Sequence, residues 1–291
     1  MNVMMKSTNA GPDMVVLEDV SFAYDGSHAD IRDVSLTIPQ GEWVTLAGAN
    51  GCGKTTLTRL LNGLLRANSG RIAIGGLELG RGTLAEIRQK VGVVFQNPDN
   101  QFIGSTVEED MAFGLEGQCL DREEMQGRIQ YYASRLGISQ LLHRHPHELS
   151  GGQKQRAAIA AILAMEPELI ILDEASSMLD EKARQQWLSL LQEMHGEGRY
   201  TLLSITHDAE EVAASQRVVV MREGTLAADV TPNELFRDEG LLHLCRMLPP
   251  FRIQLEMEME KQGILPVDRD FAGSGMTGAE VEWIWPLYFG K

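Results

Sequence analysis

The residues with the most specific spacing for chemistry form a glycine-rich loop in the first quarter of the chain. They fill the pattern G-x-x-x-x-G-K-[ST] and are, in order, Gly48, Ala49, Asn50, Gly51, Cys52, Gly53, Lys54 and Thr55, followed by Thr56. Small residues let a backbone wrap closely around phosphates, and the N–H groups at the start of a helix point at the bound anion. We expect Lys54 to reach the β- and γ-phosphates of a nucleotide, and the Thr55 hydroxyl to ligate Mg²⁺.

The segments on both sides of this loop have the pattern that a phosphate loop requires. Residues 43–47 are a short, mostly apolar run of strand type, and after the loop leucines recur at helical spacing, at Leu57, Leu60, Leu61, Leu64 and Leu65. A chance glycine turn ahead of a core helix is the alternative interpretation, but it explains neither flank. The sequence therefore predicts a nucleotide site between a strand and a helix.

A second group of polar residues stands where other strand-like runs end. LIILD at 169–173 ends in Asp173, and Glu174 follows. Asp173 suits Mg²⁺, directly or through water, and Glu174 is the candidate general base for the water that attacks the γ-phosphate. Gln96 ends VGVVFQ, where its amide could touch the metal or the water, and His207 follows YTLLSIT, where its imidazole could hydrogen-bond the γ-phosphate. Alone, each would ordinarily be a polar or structural strand end.

Two further features add to a nucleotide site. Ser150, Gly151, Gly152 and Gln153 precede an alanine-rich helical run, so a serine N-cap and bare backbone N–H groups make a second anion-binding helix end. An ordinary capped helix is the alternative. Tyr24, at the end of the first predicted strand, offers an aromatic face for an adenine ring, although such a residue is more often part of a core or its rim.

Composition limits the classes of function. The chain has 291 residues, 43% of them apolar, and its formal net charge of −15 repels polyanions, which argues against a nucleic-acid platform. No apolar run is long enough to cross a membrane, and the first residues lack the apolar core of a signal peptide. Three scattered cysteines indicate a reducing cytoplasm, and Cys52 is expected to be a small spacer residue rather than a redox centre.

The remaining patterns predict the order of the elements. Residues 1–13 are expected to be disordered, two antiparallel strands then precede the phosphate loop, and residues after Thr106 form helices. His143, His145 and His147 are interpreted as loop residues, since no ligand cluster accompanies them. Residues 217–229 predict a hairpin, Thr231 begins a capping box, and residues 251–259 are expected to be helical although their apolar residues alternate. The last residues carry Trp283, Trp285, Tyr288 and Phe289, a dense apolar end that suggests docking.

Taken together and in chain order, these residues resemble the motifs of the ATP-binding cassette (ABC) ATPases. They are Tyr24, the loop at 48–55, Gln96, residues 149–153, Asp173 with Glu174, Asp180 and His207. The resemblance covers about residues 14–230. It implies an α/β P-loop NTPase fold, with a RecA-like core at 14–96 and 165–230 that carries an antiparallel β subdomain. It also implies a helical subdomain with the signature motif at 97–164 and a C-terminal helical extension at 231–291.

The segments VVFQNPDNQF and EASSMLD, and the tail that begins with PPF, are similar to the ATPase components of energy-coupling factor transporters, which import vitamins or transition-metal ions. This resemblance implies ATP and Mg²⁺ as ligands, and a position on the cytoplasmic face of the cell membrane. It implies as partners a second ATPase subunit, identical or related, a transmembrane coupling subunit and a substrate-capturing membrane subunit, without nucleic acid. In the family, ATP is sandwiched between the phosphate loop of one subunit and residues equivalent to 150–153 of the other.

Two other classes remain open at this point. One is a soluble ABC ATPase that works on nucleic acid, ribosomes or cluster assembly, against which stand the net charge and the lack of zinc-type cysteines. The other is a regulatory nucleotide binder without turnover, against which Glu174 and His207 weigh. Neither the transported solute nor the choice between a homodimer and a heterodimer can be read from the residues.

Overall fold

The structure is a computed structural model that describes residues 12–25 and 29–262. The strands are β1 (Asp13–Phe22), β2 (Ile31–Pro39), β3 (Trp43–Ala47), β4 (Ser69–Ile74), β5 (Leu77–Glu78), β6 (Val91–Val94), β7 (Leu169–Asp173), β8 (Thr201–Ile205), β9 (Arg217–Arg222) and β10 (Thr225–Val230). The helices are α1 (Lys54–Leu61), α2 (Leu84–Lys90), α3 (Val107–Glu116), α4 (Arg122–Arg135), α5 (Gly151–Ala164), α6 (Glu181–Gly196), α7 (Ala209–Ala214), α8 (Pro232–Arg237), α9 (Glu239–Cys245) and α10 (Phe251–Lys261). The prediction of disorder for residues 1–13 is wrong at Asp13, which begins β1 and pairs with Pro39. The predictions for residues 1–11 and for the aromatic C-terminal end lie outside the described residues.

A mostly parallel sheet positions the site. Its strand order is β10-β9-β3-β8-β7-β6, and β3, β8, β7 and β6 run parallel. The strands β3, β7 and β8 are buried almost throughout, as expected of parallel strands covered on both faces. Leu46 and Asp173 both pair with Ile205, so the carboxyl ends of these strands lie at the same sheet edge. The loops that follow β3, β7 and β8 therefore start side by side.

The antiparallel sheet has the order β2-β1-β4-β5 and packs its apolar face into one core with α1 and the parallel sheet. The first two predicted strands do pair antiparallel, from Val15 opposite Ile38 to Phe22 opposite Ile31. Gly75 and Gly76 both have positive φ at the reversal between β4 and β5, a conformation that costs glycine little. The predicted hairpin is also present, as β9 and β10 turning at Glu223 and Gly224.

Three helices, α3, α4 and α5, lie in the chain between β6 and β7 and pack against one another. Thr106 and Asp121 cap α3 and α4 by accepting hydrogen bonds from backbone N–H groups three residues on. The alanines of α5 are buried at 157, 158, 160, 161 and 164, and such small side chains let neighbouring helices approach closely. This segment confirms the prediction that the chain becomes helical after Thr106.

Several local predictions can now be compared with the structure. The strand predicted to end at Gln96 ends at Val94, so Gln96 lies in the following loop. The capping box at Thr231 is present, with Pro232 as the first helical residue. Residues 251–261 form α10, as helix propensity rather than apolar alternation indicated. Among residues 12–25 and 29–262, no helix combines the length and apolar character needed to span a bilayer.

The three histidines lie between α4 and α5, where His147 belongs to a short 3₁₀ helix, Pro146–Glu148, rather than to a loop. The rings of His145 and His147 stack with centroids 5.0 Å apart, while His143 Nδ1 lies 3.0 Å from Glu108. Within the described part of the chain, no three His, Cys, Asp or Glu side chains cluster to hold a metal ion.

Candidate active site

The phosphate loop joins β3 to α1 in a conformation that only glycine tolerates at several positions. Gly48, Gly51 and Gly53 have φ angles of 143°, 78° and 110°. A Cβ atom on Gly48 would lie 2.4 Å from the carbonyl oxygen of Met221. The first turn of α1 contains no acidic residue, so the positive end of the helix dipole faces the loop uncompensated. This arrangement suits an anion.

Lys54, the first residue of α1, is bent back over the loop. Its side chain is only 6% exposed, and Nζ donates to the carbonyl oxygens of Gly48 at 2.7 Å and Ala49 at 3.1 Å. Nζ also lies 3.9 Å from the sulfur of Cys52. These contacts hold an ammonium group at the mouth of the loop, where it can exchange carbonyl oxygens for phosphate oxygens.

A cavity of about 370 Å³ opens beside the loop. It is lined by Asp30, Asn50, Gly51, Gly53, Lys54, Thr55, Thr56 and Glu174. The structure thus brings the predicted general base to the same cavity as the phosphate-loop residues. Asp30, which accepts a hydrogen bond from the backbone of Tyr24 at 3.1 Å, also lines it and was not predicted.

Glu174 lies between the other two predicted catalytic residues. Gln96 Nε2 donates to Glu174 Oε2 at 2.9 Å, and His207 Nε2 lies 3.7 Å from Glu174 Oε1. Glu174 has a φ of 51°, a left-handed conformation that is strained for a residue with a Cβ atom. Its backbone N–H donates to the carbonyl of Ile205 at 2.8 Å, which fixes this strained residue against β8. Gln96, Glu174 and His207 therefore form one constellation.

The electrostatics of this constellation have identifiable causes. Burial raises the pKa of Asp173, and the neighbouring Glu174 carboxylate raises it further against the lowering effects of Arg59 and Lys54. Burial lowers the pKa of His207, and Lys54 lowers it too, whereas Glu174 acts in the opposite sense. His207 is therefore neutral near pH 7 and able to donate or accept one hydrogen bond at each ring nitrogen.

Thr55 in the cavity lining, Asp173 next to Glu174 in the chain and Gln96, which bonds Glu174, are oxygen donors of the kind that fits Mg²⁺. Thr55 supplies a hydroxyl, Asp173 a carboxylate and Gln96 an amide oxygen, and oxygen atoms are the ligands that Mg²⁺ takes in proteins. Burial and the adjacent Glu174 carboxylate make Asp173 harder to ionise, and a bound divalent cation would offset both effects.

Tyr24 lies just beyond β1 with 54% of its surface exposed. Its ring meets Phe22 edge-on at a centroid distance of 4.9 Å, and its hydroxyl accepts from Arg59 Nη1 at 3.3 Å. The ring is thus anchored on two sides and presents a face to solvent. Arg59, on α1, is a second residue near the site that was not predicted.

The second predicted anion-binding element stands apart. Ser150 is the N-cap of α5, and its N–H donates to Gln153 Oε1 at 3.0 Å. Residues 150–153 line a different cavity, of about 460 Å³, together with Asp180, Trp187 and others on α4 and α6. This larger cavity shares no lining residue with the cavity at the phosphate loop. Within one chain, the two elements thus line separate cavities.

A small pocket behind the base contains further residues that no sequence pattern had indicated. Its lining includes Glu174, Ser176, Arg184 and Asp208. Arg184 Nε lies 3.3 Å from Asp208 Oδ2, which links α6 to the cap of α7. Asp208 directly follows His207, and this proximity was the only available signal in the sequence.

Comparison with known proteins gives the family. The family model for ABC transporters matches residues 31–177. The energy-coupling factor transporter ATP-binding protein EcfA1 of Geobacillus kaustophilus is 45% identical over 276 residues, 94% of this chain and 98% of that protein. The chain belongs to the ABC transporter ATPases, in the energy-coupling factor group. EcfA1 of Enterococcus faecalis is 42% identical over 281 residues, 96% of this chain and 99% of that protein.

Solved structures agree with this membership. The structure of cbiO1 from Clostridium perfringens, described as part of the ABC transporter complex cbiONQ, superposes with a TM-score of 0.73 at 31% identity, covering 86% of this chain and 97% of cbiO1. The dimeric structure of MJ0796, a bacterial ABC transporter cassette, superposes with a TM-score of 0.69 at 27% identity, covering 75% of this chain and 99% of that one. The predicted α/β P-loop NTPase fold is confirmed, and this ABC protein is an ATP-binding ATPase that energises transport.

Proposed function

We propose that this ABC ATPase is the energising subunit of an energy-coupling factor importer for a vitamin or a transition-metal ion. The support is the name shared by the relatives that match over nearly the whole chain. In this proposal the protein lies on the cytoplasmic face of the cell membrane. Its partners are a second ATPase subunit, a transmembrane coupling subunit and a substrate-capturing membrane subunit.

ATP is proposed to bind between two ATPase subunits. The observation that carries this step is the separation of the two anion-binding elements, since the cavity of Lys54 and that of Ser150 have no residue in common. A second subunit would bring its residues 150–153 to the phosphates held by this subunit's loop. Because each element alone contacts one side of the nucleotide, closure of the pair depends on ATP, and loss of the γ-phosphate lets the pair reopen.

The residues of this chain have separate proposed tasks. Glu174 accepts a proton from the water that attacks the γ-phosphate, Gln96 orients that water, and neutral His207 hydrogen-bonds the γ-phosphate. Lys54 and the loop N–H groups of residues 48–56 hold the phosphates, and Tyr24 stacks on the adenine. Thr55, Gln96 and Asp173 would hold Mg²⁺, which neutralises charge on the β- and γ-phosphates when bound.

The membrane partner is proposed to dock on the loop after Gln96. A cavity of about 220 Å³ there is lined by Asp99, Phe102, Ile103, Gly104, Ser105, His145, Pro146 and His147, and Ile103 is 70% exposed. Asp99 Oδ1 accepts a hydrogen bond from Lys154 Nζ at 2.6 Å. Lys154 lies on α5 and directly follows the signature motif at residues 149–153. Movement of α5 on ATP binding would therefore be transmitted to this groove, within the helical subdomain proposed at 97–164.

Recovery of the tagged full-length chain from membranes, with identification of every retained protein, tests the assignment. We expect a second ATPase subunit and at least one integral membrane protein. Recovery with RNA, DNA or ribosomal particles and no membrane protein would contradict it and favour the soluble class.

A further inference from the structure

Glu211 is a buried carboxyl group that the mechanism above does not use. It lies on α7, four residues after His207, and is only 4% exposed. Its Oε2 accepts a hydrogen bond from Ser176 Oγ at 3.0 Å. Hydrogen bonding from the Ser204 and Thr206 side chains, like that from Ser176, lowers the pKa of the Glu211 carboxyl. All three hydroxyl-bearing residues are buried as well. Burying a carboxyl costs free energy unless hydrogen bonds compensate, and these three hydroxyls form a cage that supplies them.

The hydroxyl protons are directed at Glu211. Ser204 Oγ accepts from Trp43 Nε1 at 3.0 Å, and Thr206 Oγ1 accepts from the N–H of Asp208 at 3.0 Å. Each hydroxyl has one proton to donate. Since these two oxygens already act as acceptors, their protons are available for the carboxyl, and the Ser176 proton points there too. The cage therefore matches an ionised carboxylate, which accepts every one of these bonds.

The cage joins the two segments that carry the proposed base and the proposed γ-phosphate contact. Ser176 lies two residues after Glu174, and Thr206 directly precedes His207. Glu174 is held in a left-handed conformation, at φ 51°, which persists only when its flanking residues are fixed. Glu211 thus ties these two segments together in addition to the backbone hydrogen bond from Glu174 N–H to the Ile205 carbonyl.

We propose that Glu211 is a positioning residue for ATP hydrolysis, whose carboxylate holds the Glu174 segment and the His207 segment in register through Ser176 and Thr206. The proposal rests on the roles assigned above to Glu174 and His207. It adds that the register depends on the ionisation of Glu211, because a protonated carboxyl loses the negative charge that strengthens the hydrogen bonds it accepts from the hydroxyls. The bonds that hold the two segments in register are then weaker.

Burial, more than the charges that face this carboxyl, brings its titration near neutrality. Burial raises the pKa of Glu211 to about 7, although the bonds from Ser176, Ser204 and Thr206 oppose this rise. Asp208, on the same helix, raises it further, while Asp208 is itself paired with Arg184 of α6. The helix α8 also packs against α7 and carries two charged residues with partners of their own. Glu234 forms the capping box with Thr231, and Arg237 donates a hydrogen bond to Asn233. Hydrolysis should therefore slow as the pH falls through about 7.

Steady-state hydrolysis by the full-length protein, in the complex in which it is purified, tests the proposal between pH 6 and pH 9. Glu211→Gln should lower kcat at pH 8 by about tenfold, the effect of losing one hydrogen bond to a charged group, and leave KM for ATP unchanged. It should also remove the step in kcat near pH 7. Glu210→Gln, on the exposed neighbouring residue of the same helix, is the matched control and should keep the wild-type profile.

Ser176→Ala supplies the second arm and remains informative even if Glu211→Gln does not fold. Removing one donor from the carboxylate raises its pKa, so the step in kcat should move to higher pH. A wild-type kcat and pH profile in Glu211→Gln, or an unmoved step in Ser176→Ala, would overturn the proposal. Loss of activity in Glu174→Gln tests the base separately, so failure of one assignment is distinguishable from failure of the other.

Discussion

The side-chain amide of Gln96 donates to Glu174 Oε2 at 2.9 Å, which connects the loop after β6 to the residue after β7. The same loop continues to Asp99, which pairs with Lys154 of α5, and then to the groove around Ile103. Two short polar contacts thus join the candidate base, α5 and the proposed docking groove. A shift at the groove would therefore reach Gln96, the hydrogen-bond partner of the candidate base.

The first prediction concerns Glu174. Replacement by glutamine keeps the shape of the side chain but removes the proton acceptor, so ATP binding should persist while turnover falls by about 10²–10⁴-fold. Binding is measured by equilibrium titration with labelled ATP and turnover by phosphate release. Glu181→Gln, on the exposed start of α6, is the control and should turn over normally. Unchanged hydrolysis in Glu174→Gln would assign the base elsewhere.

A second prediction concerns Ser150, the N-cap residue of α5. Ser150→Arg places a long cation where the partner's phosphates would lie, so hydrolysis should be abolished although Lys54 is intact. Thr231→Arg is the matched control, because Thr231 is likewise an exposed N-cap residue with a capping box. It loses the same kind of helix cap, worth about 0.5–2 kcal/mol, without facing a nucleotide. A fully active Ser150→Arg protein would contradict a site shared between subunits.

Alkylation of Cys52 provides a third test. Its sulfur lies 3.9 Å from Lys54 Nζ within the phosphate loop and is nearly buried. ATP at about ten times its Kd should slow alkylation of Cys52 about tenfold, because only the free site reacts. Cys119, which is exposed, is an internal control whose rate should not change. Equal rates with and without ATP would place the thiol outside the nucleotide site.

The fourth prediction addresses the docking groove. Ile103→Asp puts a charge on a side chain that is 70% exposed and lines the groove, so recovery of the membrane subunits with the tagged chain should fall several-fold. Leu64→Asp is the control, since Leu64 is a similarly exposed aliphatic residue, at 58%, outside the groove. Quantitative mass spectrometry of the retained proteins measures both. Equal recovery from the two variants would move the docking site away from Ile103.

A fifth prediction follows from the pKa of Glu211. The carboxyl ionises near 4.5 in an unfolded chain and near 7 in the folded protein, so the folded state binds more protons between these values. The free energy of unfolding contributed by this group therefore falls as the pH rises from 4.5 through 7, in total by about 3 kcal/mol. Urea denaturation measures this free energy. Relative to wild type, the free energy of unfolding of Glu211→Gln should rise by about 3 kcal/mol between pH 4.5 and pH 8. A pH-independent difference would refute the shifted pKa.

The sequence predicted those parts of the site that depend on residues close together in the chain. The phosphate loop, the serine cap of α5 and the strand ends at Asp173 and His207 each carry their own local pattern. Glu211 has no such pattern, because its partners Ser176 and Ser204 belong to two separate segments that meet only in the folded sheet. Asp30 approaches the site for the same reason, whereas Arg59 is close to the phosphate loop in the sequence but belongs to no local pattern that indicates a site. The end of β6 at Val94 was misplaced by two residues, since Phe95 and Gln96 continue the strand pattern into the loop.

The central claim is that one chain carries two halves of different ATP sites, and the hydrolysis rate of the separated monomer tests it most directly. Light scattering identifies the monomeric and assembled fractions of the full-length protein, and phosphate release gives the specific activity of each. We predict that the monomer hydrolyses ATP at least about 100-fold more slowly than the assembled protein, because the stabilising donors at residues 150–153 of a second subunit are missing. Equal specific activity in the two fractions would contradict the claim.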